Sequence, residues 1–286
     1  MTIQKKGTAL VTGASAGIGA IYADRLARRG YDLILVARNG GRLDALARRL
    51  TLETGRTIEV VAADLNDSVD LGRIEKLLRT DARITMLVNN AGVGATAPLL
   101  DSDVDKMSEM IALNVDGLTR LTYAAVPAFV ARAAGTIINI ASVVAVRPEI
   151  LNGVYAGTKA FVLAFSQSLK NELADKGVHI QVVLPGATAT AFWVEAGMPV
   201  ENLPSEIVMQ ADELVDAALA GLDQGEFVTI PSLPNAADWQ AYEAARQTLI
   251  PNLSLRNSAA RYWAAAATEP AFLQRPAIQR VEITTH

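Results

Sequence analysis

Short apolar runs alternate with helical spacings along most of the chain. Thr8 to Thr12 (TALVT) reads as a strand, and from Gly17 the positions Ile18, Ile21, Tyr22 and Leu26 share one face of a helix ending near Gly30. YDLILVAR follows as a second strand, helical spacing returns at Leu43, Leu46, Ala47 and Leu50, and TIEVVAA is a third strand, ending at Asp64. A helix is predicted over roughly Ser68 to Arg79, then a strand ITMLVN, the turn NNAGVG, and a long helix from about Asp103 through Asn114 toward Phe129. The strand GTIINIA, a helix from Gly153, the strand VHIQVVL, a helix over Ala211 to Asp223 and a last strand EFVTI complete the series.

These strands are apolar at successive positions instead of alternating. Strands buried on both faces read this way, so the sheet is expected to be parallel, with right-handed crossovers and helices on both sides. That is an α/β, doubly wound architecture of about seven strands. One domain is expected over residues 1–286, with a core at about 7–230, a loop at about 186–210 and a helical extension at about 232–286. In the extension, Trp239, Tyr242 and Leu249, then Tyr262 and Trp263, suggest two terminal helices.

Composition narrows the functions. The 286 residues are 51% hydrophobic with a net charge of -4, and no basic cluster exceeds pairs such as Lys5-Lys6 and Arg28-Arg29. Neither nucleic-acid binding nor polybasic membrane attachment is expected. The absence of cysteine excludes disulfides, thiolate catalysis and zinc-thiolate sites, and two histidines are too few for a histidine-rich metal site. The start, MTIQKKGTALVTG, lacks a secretory apolar region, and the apolar stretch Ala133 to Val146 is too short to cross a bilayer. A soluble, cytoplasmic protein with no resident metal is expected.

Chemistry enters at two places. In T12-G-A-S-A-G-I-G19, three glycines join the first strand to the first helix. Glycine accepts positive φ and lets a phosphate approach the backbone, and the free N–H groups of the new helix favour negative charge. The spacing is neither Gly-x-Gly-x-x-Gly nor that of a P-loop. Far downstream, Ser142 follows an apolar run, and thirteen positions later Tyr155 is followed at i+4 by Lys159. On a helix that pair shares one face, so the ammonium can approach the phenol. Alone, such a pair is ordinarily a packed ring beside a solvated amine.

Together these motifs resemble the short-chain dehydrogenase/reductase family, in its subgroup of TGxxxGxG and YxxxK enzymes, over about residues 7 to 230. Thr12, Gly13, Gly17 and Gly19 match its cofactor turn, Asn90-Ala91-Gly92 its Asn-Ala-Gly motif, and Pro185-Gly186 with Thr190 its Pro-Gly-x-x-x-Thr. Asn114, Ser142, Tyr155 and Lys159 match its catalytic tetrad. The resemblance implies a Rossmann-like sheet, a small-molecule carbonyl or alcohol substrate, and a homo-oligomer, dimer or tetramer. It implies cofactor contacts at Gly13, Ser15, Gly17, Ile18, Gly19, Arg38, Asn39, Asp64, Leu65, Asn90, Ala91, Gly92, Tyr155, Lys159, Pro185, Gly186, Thr188 and Thr190, with Asp64 near the adenine. Ser142 would hold the substrate oxygen, Lys159 the nicotinamide ribose, and Asn114 a water in a proton relay.

Two readings refine this. An acidic residue after the second strand would bind the ribose hydroxyls of NAD, but the chain has Ala37 and Arg38 there. A guanidinium suits a 2′-phosphate, so NADP(H) is expected, helped by Ser15 and Asn39, with NAD(H) left open. Tyrosine, with an ordinary pKa of about 10, is a poor acid near neutrality. An ammonium about 4 Å away at an effective dielectric near 20 contributes roughly 4 kcal/mol, about three pKa units, so Lys159 is expected to bring Tyr155 toward working pH. The substrate is expected to be apolar, contacted by Val144, Leu151, Asn152 and Trp193 beneath a lid at Ala191 to Val194. The alternatives are a non-catalytic NADP-sensing regulator, against which the intact proton donor argues, and an epimerase or dehydratase, against which the glycine spacing argues.

Overall fold

Strand β1 (Thr8–Thr12) is buried at every position, and α1 (Gly17–Arg28) follows it through the glycine turn. The chain continues outward as β2 (Asp32–Ala37), α2 (Gly40–Thr54), β3 (Ile58–Ala62) and α3 (Ser68–Thr80). It then crosses to β4 (Ile84–Asn89), on the other side of β1. The structure, a computed structural model, describes residues 6–262.

The predicted long helix is three pieces in one run. These are α4 (Val104–Ile111), a π-helical stretch at Ala112–Gly117, and α5 (Leu118–Ala131). Next come β5 (Gly135–Ile140), α6 (Gly153–Glu172) and β6 (Val178–Val183). The stretch read as a loop has structure of its own: β7 (Thr188–Ala189) and β8 (Met209–Gln210) pair in parallel, with α7 (Phe192–Glu195) between them. Helix α8 (Ala211–Asp223) and β9 (Val228–Thr229) follow, the helix with the bounds that its spacing predicts.

The main sheet has seven strands in the order β3-β2-β1-β4-β5-β6-β9, all paired in parallel. Alternate residues of one strand serve opposite faces. Ala9 and Val11 join a core with α1, α2 and α8, whereas Leu10 joins another with α3, α5 and α6. This is why the strands read as apolar throughout. Edge strand β3 is only half-buried, and Glu59 on it pairs with Arg83 at 2.8 Å. The direction of winding reverses between β1 and β4, which opens a crevice at their carboxyl ends.

The chain divides into compact units at residues 1–234 and 235–286. In the second, α9 (Ala236–Gln247) buries none of its residues, and Trp239 stacks on Tyr242 with centroids 5.0 Å apart. Of the second terminal helix expected, the described residues show only a 3-10 turn at Ala260–Tyr262, and Trp263 lies outside them. Among the described residues, no helix is long and apolar enough to cross a membrane, and no group of three acidic or histidine side chains is placed to hold a metal ion.

Candidate active site

The crevice is a cleft of about 1840 Å³, beyond the range of roughly 300–1,000 Å³ usual for a site that takes one small molecule. At one end is the glycine turn, where Gly13 has φ +65° and Gly17 φ +54°. A Cβ on Gly19 would overlap the Gly13 carbonyl oxygen. Helix α1 begins with no side-chain cap, which leaves its first N–H groups for an anion. The turn is stapled from β4. Asn90 Nδ2 donates to the carbonyl oxygens of Thr12 (2.9 Å) and Gly13 (3.3 Å), and Thr12 Oγ1 accepts from the backbone N–H of Asn90 and of Ala91, both at 3.0 Å. Asn90 and Ala91 thus hold the shape of the turn. Ser15, Ile18, Asp64, Leu65 and Gly92 line the cleft, and Gly19 lies behind the lining.

Arg38 lines the same end, and so does Arg42, which sequence reading passed over. Its signal was the i+4 spacing from Arg38 across the start of α2. Asn39 Oδ1 accepts the Arg42 N–H at 3.0 Å as the cap of that helix, so this oxygen is engaged in structure. Asp64 Oδ1 accepts from the Asn66 N–H at 3.0 Å.

At the other end, Ser142 leaves β5 with Oγ donating to the Pro185 carbonyl and accepting from the Val144 N–H, both at 3.3 Å. Tyr155 sits in the first turn of α6, buried like Ser142, whose hydroxyl is near enough to favour the ionised phenol. Burial pushes Tyr155 up to about 12 and outweighs the lowering by Ser142. Lys159, one turn on, donates from Nζ to the Ile140 carbonyl at 2.9 Å, with Nζ 5.9 Å from the Tyr155 ring centroid. Burial also brings Lys159 down to about 8. The expected drop of Tyr155 toward neutrality is therefore not found: burial is the leading influence on both groups, and the Lys159 ammonium gives one of its N–H bonds to a backbone carbonyl.

Asn114 is buried on the π-helical stretch. Its Oδ1 accepts from the Val93 N–H at 3.0 Å, and Nδ2 donates to the Val93 carbonyl (2.8 Å) and Thr158 Oγ1 (3.1 Å). The side chain ties the segment after β4 to α6, and Thr158 is a partner that no sequence motif marked. Thr188 Oγ1 donates to the Gly186 carbonyl at 3.1 Å, and a Cβ on Gly17 would lie 3.3 Å from Thr190 Cγ2. Pro185, Gly186, Thr188 and Thr190 all line the cleft.

Around Tyr155 the wall is apolar: Met107, Met110, Val144, Leu151 and Phe192 pack together there. Val144 and Leu151 line the cleft. Asn152 does not. Its Oδ1 caps α6 by accepting from Val154 and Tyr155 N–H, its Nδ2 donates to the Ala97 carbonyl (2.7 Å) and Ser102 Oγ (3.0 Å), and it is absent from the cleft lining. Its work is to orient the turn that carries Tyr155. Trp193 lines the cleft but is pinned, its indole N–H donating to the Thr188 carbonyl at 2.9 Å. The ring over Tyr155 belongs to its neighbour Phe192, at 5.8 Å between centroids.

Known proteins are similar to this chain in sequence and fold. A short-chain dehydrogenase from Sphingobium yanoikuyae, solved in complex with NADPH, is 49% identical, with a TM-score of 0.87 over 90% of this chain and 99% of that one. The bulky-bulky ketone specific alcohol dehydrogenase from Comamonas testosteroni is 44% identical, with a TM-score of 0.84 over 91% and 99%. A very-long-chain 3-oxoacyl-CoA reductase of Podospora anserina is 34% identical over 230 residues, 78% of this chain and 66% of that relative, so the chain spans about two thirds of its length. The family model for short chain dehydrogenase matches residues 7–199, and the chain belongs to that family of oxidoreductases.

Proposed function

We propose that the protein is an NADP(H)-dependent carbonyl reductase and alcohol dehydrogenase for bulky, apolar substrates, with Ser142, Tyr155 and Lys159 at the reacting centre. The observation that carries this is the hydroxyl pair of Ser142 and Tyr155, buried beside Lys159 in the cleft that begins at the glycine turn. The positive φ of Gly13 and Gly17, the uncapped start of α1 and the two arginines suit a dinucleotide phosphate. When bound, NADPH supplies a hydride to the carbonyl carbon. Ser142 orients the carbonyl oxygen, and Tyr155 gives that oxygen its hydroxyl proton as negative charge develops. Lys159 stabilises the resulting tyrosinate, and Asn114 holds α6 in register with the segment after β4.

The pKa directions give a pH profile. Tyr155 remains protonated across the neutral range, which suits reduction, whereas Lys159 loses its charge as pH rises through about 8. The kcat/KM for ketone reduction is expected to hold level below pH about 8 and to fall above it. Alcohol oxidation, which needs the tyrosinate beside a charged Lys159, is expected to rise with pH up to about 8 and to gain little above it. A reduction profile that stays level to pH about 10 would disconnect Lys159 from the step.

The function itself is tested by NADPH consumption over a panel of aldehydes, methyl ketones, aryl ketones with two bulky substituents, and quinones. Turnover greatest on the bulky ketones is expected. Tight NADPH binding with no turnover on any of them would favour the sensing regulator.

A further inference from the structure

We infer that Phe192, seated on Gly94, sets how large a substrate substituent can lie beside Tyr155; this rests on the reading of the cleft as a carbonyl-reducing site. The lid carrying α7 is fastened to the segment after β4 by Thr96, whose N–H (3.1 Å) and Oγ1 (2.9 Å) both donate to the Ala196 carbonyl. This brings the Phe192 ring onto Gly94, so closely that a Cβ there would overlap Cζ and lie 2.9 Å from Cε2 and 3.2 Å from Cε1. Gly94 is not among the glycines of positive φ, so its backbone does not demand glycine; the ring does. Tyr155 lies on another side of the ring at 5.8 Å and a tilt of 46°, and Trp193 edge-on at 5.8 Å and 88°. Trp193 cannot give way without losing its bond to Thr188.

Hemmed by those three, the ring has the cleft left to move into. Gly94 and Phe192 both line that cleft, so a group added at 94 takes space from the substrate, and a group removed at 192 returns it.

The test compares wild type, Phe192→Ala, Gly94→Ala and the double variant. Each is assayed with a small methyl ketone and with an aryl ketone bearing two bulky groups. Phe192→Ala should raise the bulky-to-small ratio of kcat/KM about tenfold, Gly94→Ala should lower it about tenfold, and the double variant should return above wild type. Thermal midpoint and NADPH Kd serve as controls that fold and cofactor site persist, and if Gly94→Ala fails to fold, Phe192→Ala carries the test alone. Calorimetric binding of the bulky aryl ketone to the NADP+ complex should follow the same ranking. That measurement tells the two ideas apart: absent turnover with the ranking intact removes the catalytic reading only. The same ratio and the same ketone affinity in all four proteins would overturn the inference.

Discussion

Tyr155→Phe is expected to lower kcat/KM for ketone reduction by about 10²- to 10⁴-fold while leaving NADPH affinity within about twofold. The tyrosine hydroxyl is the proton donor best placed at the wall of the cleft. The Ser142 hydroxyl donates its single proton to the Pro185 carbonyl and accepts from the Val144 N–H, so it has to turn from Pro185 to hold the substrate oxygen and has no second proton to replace an acid. The ring of Tyr155 is packed with Met110, Val144 and Ala156, and phenylalanine keeps all of those contacts. The loss should therefore fall on chemistry and not on folding. Steady-state NADPH consumption, with cofactor binding read separately from nucleotide fluorescence, separates the two. Equal turnover by both proteins would remove Tyr155 from the proton step, and a matching loss of NADPH affinity would make it a binding residue instead.

The contrast between Tyr155 and its neighbours shows which features a sequence carries. The parallel sheet was legible because burial on both faces imposes apolar residues at successive strand positions, as Leu10 and Val11 do for the two cores. The glycine turn was legible because backbone conformation restricts residue type at Gly13 and Gly17. Asn114 lies in a π-helical stretch inside an unbroken apolar pattern, and one extra residue in a helical turn leaves little trace in periodicity. Asn152 and Trp193 have structural work that no motif marked, for a common reason. Their partners, the Ala97 and Thr188 carbonyls, are backbone groups, which look alike in every sequence. The Lys159 and Tyr155 electrostatics failed differently. A point-charge estimate made at one effective dielectric leaves out the cost of burying each charge, and here that cost is the larger effect.

The largest shift in cofactor choice is expected from Arg38→Asp, which should lower the NADPH-to-NADH ratio of kcat/KM by about 10²- to 10³-fold. Strand β2 ends at Ala37 beside the glycine turn, because β2 pairs with β1 in register from Thr8–Asp32 to Thr12–Val36. That register delivers residue 38 to the cleft, near where the adenosine ribose would lie. Arg25, Arg28, Arg49, Arg79 and Arg83 all pair with carboxylates, but no ion pair involves Arg38 or Arg42 among the described residues. Two unpaired guanidinium groups exposed at one end of a cleft suit a dianionic phosphate, and each charge-assisted bond contributes about 1.5–3 kcal/mol. Aspartate at 38 would replace attraction by repulsion for NADPH and offer NADH an acceptor for its ribose hydroxyls. Arg38→Lys should keep part of the preference, since the charge remains but the two-pronged geometry does not. Arg42→Ala should weaken it less, about tenfold at most, because Arg38 remains. The KM for NADPH should also rise with salt in the wild type, whereas that for NADH should hardly move. An unchanged NADPH-to-NADH ratio in Arg38→Asp would make Arg38 a solvated bystander.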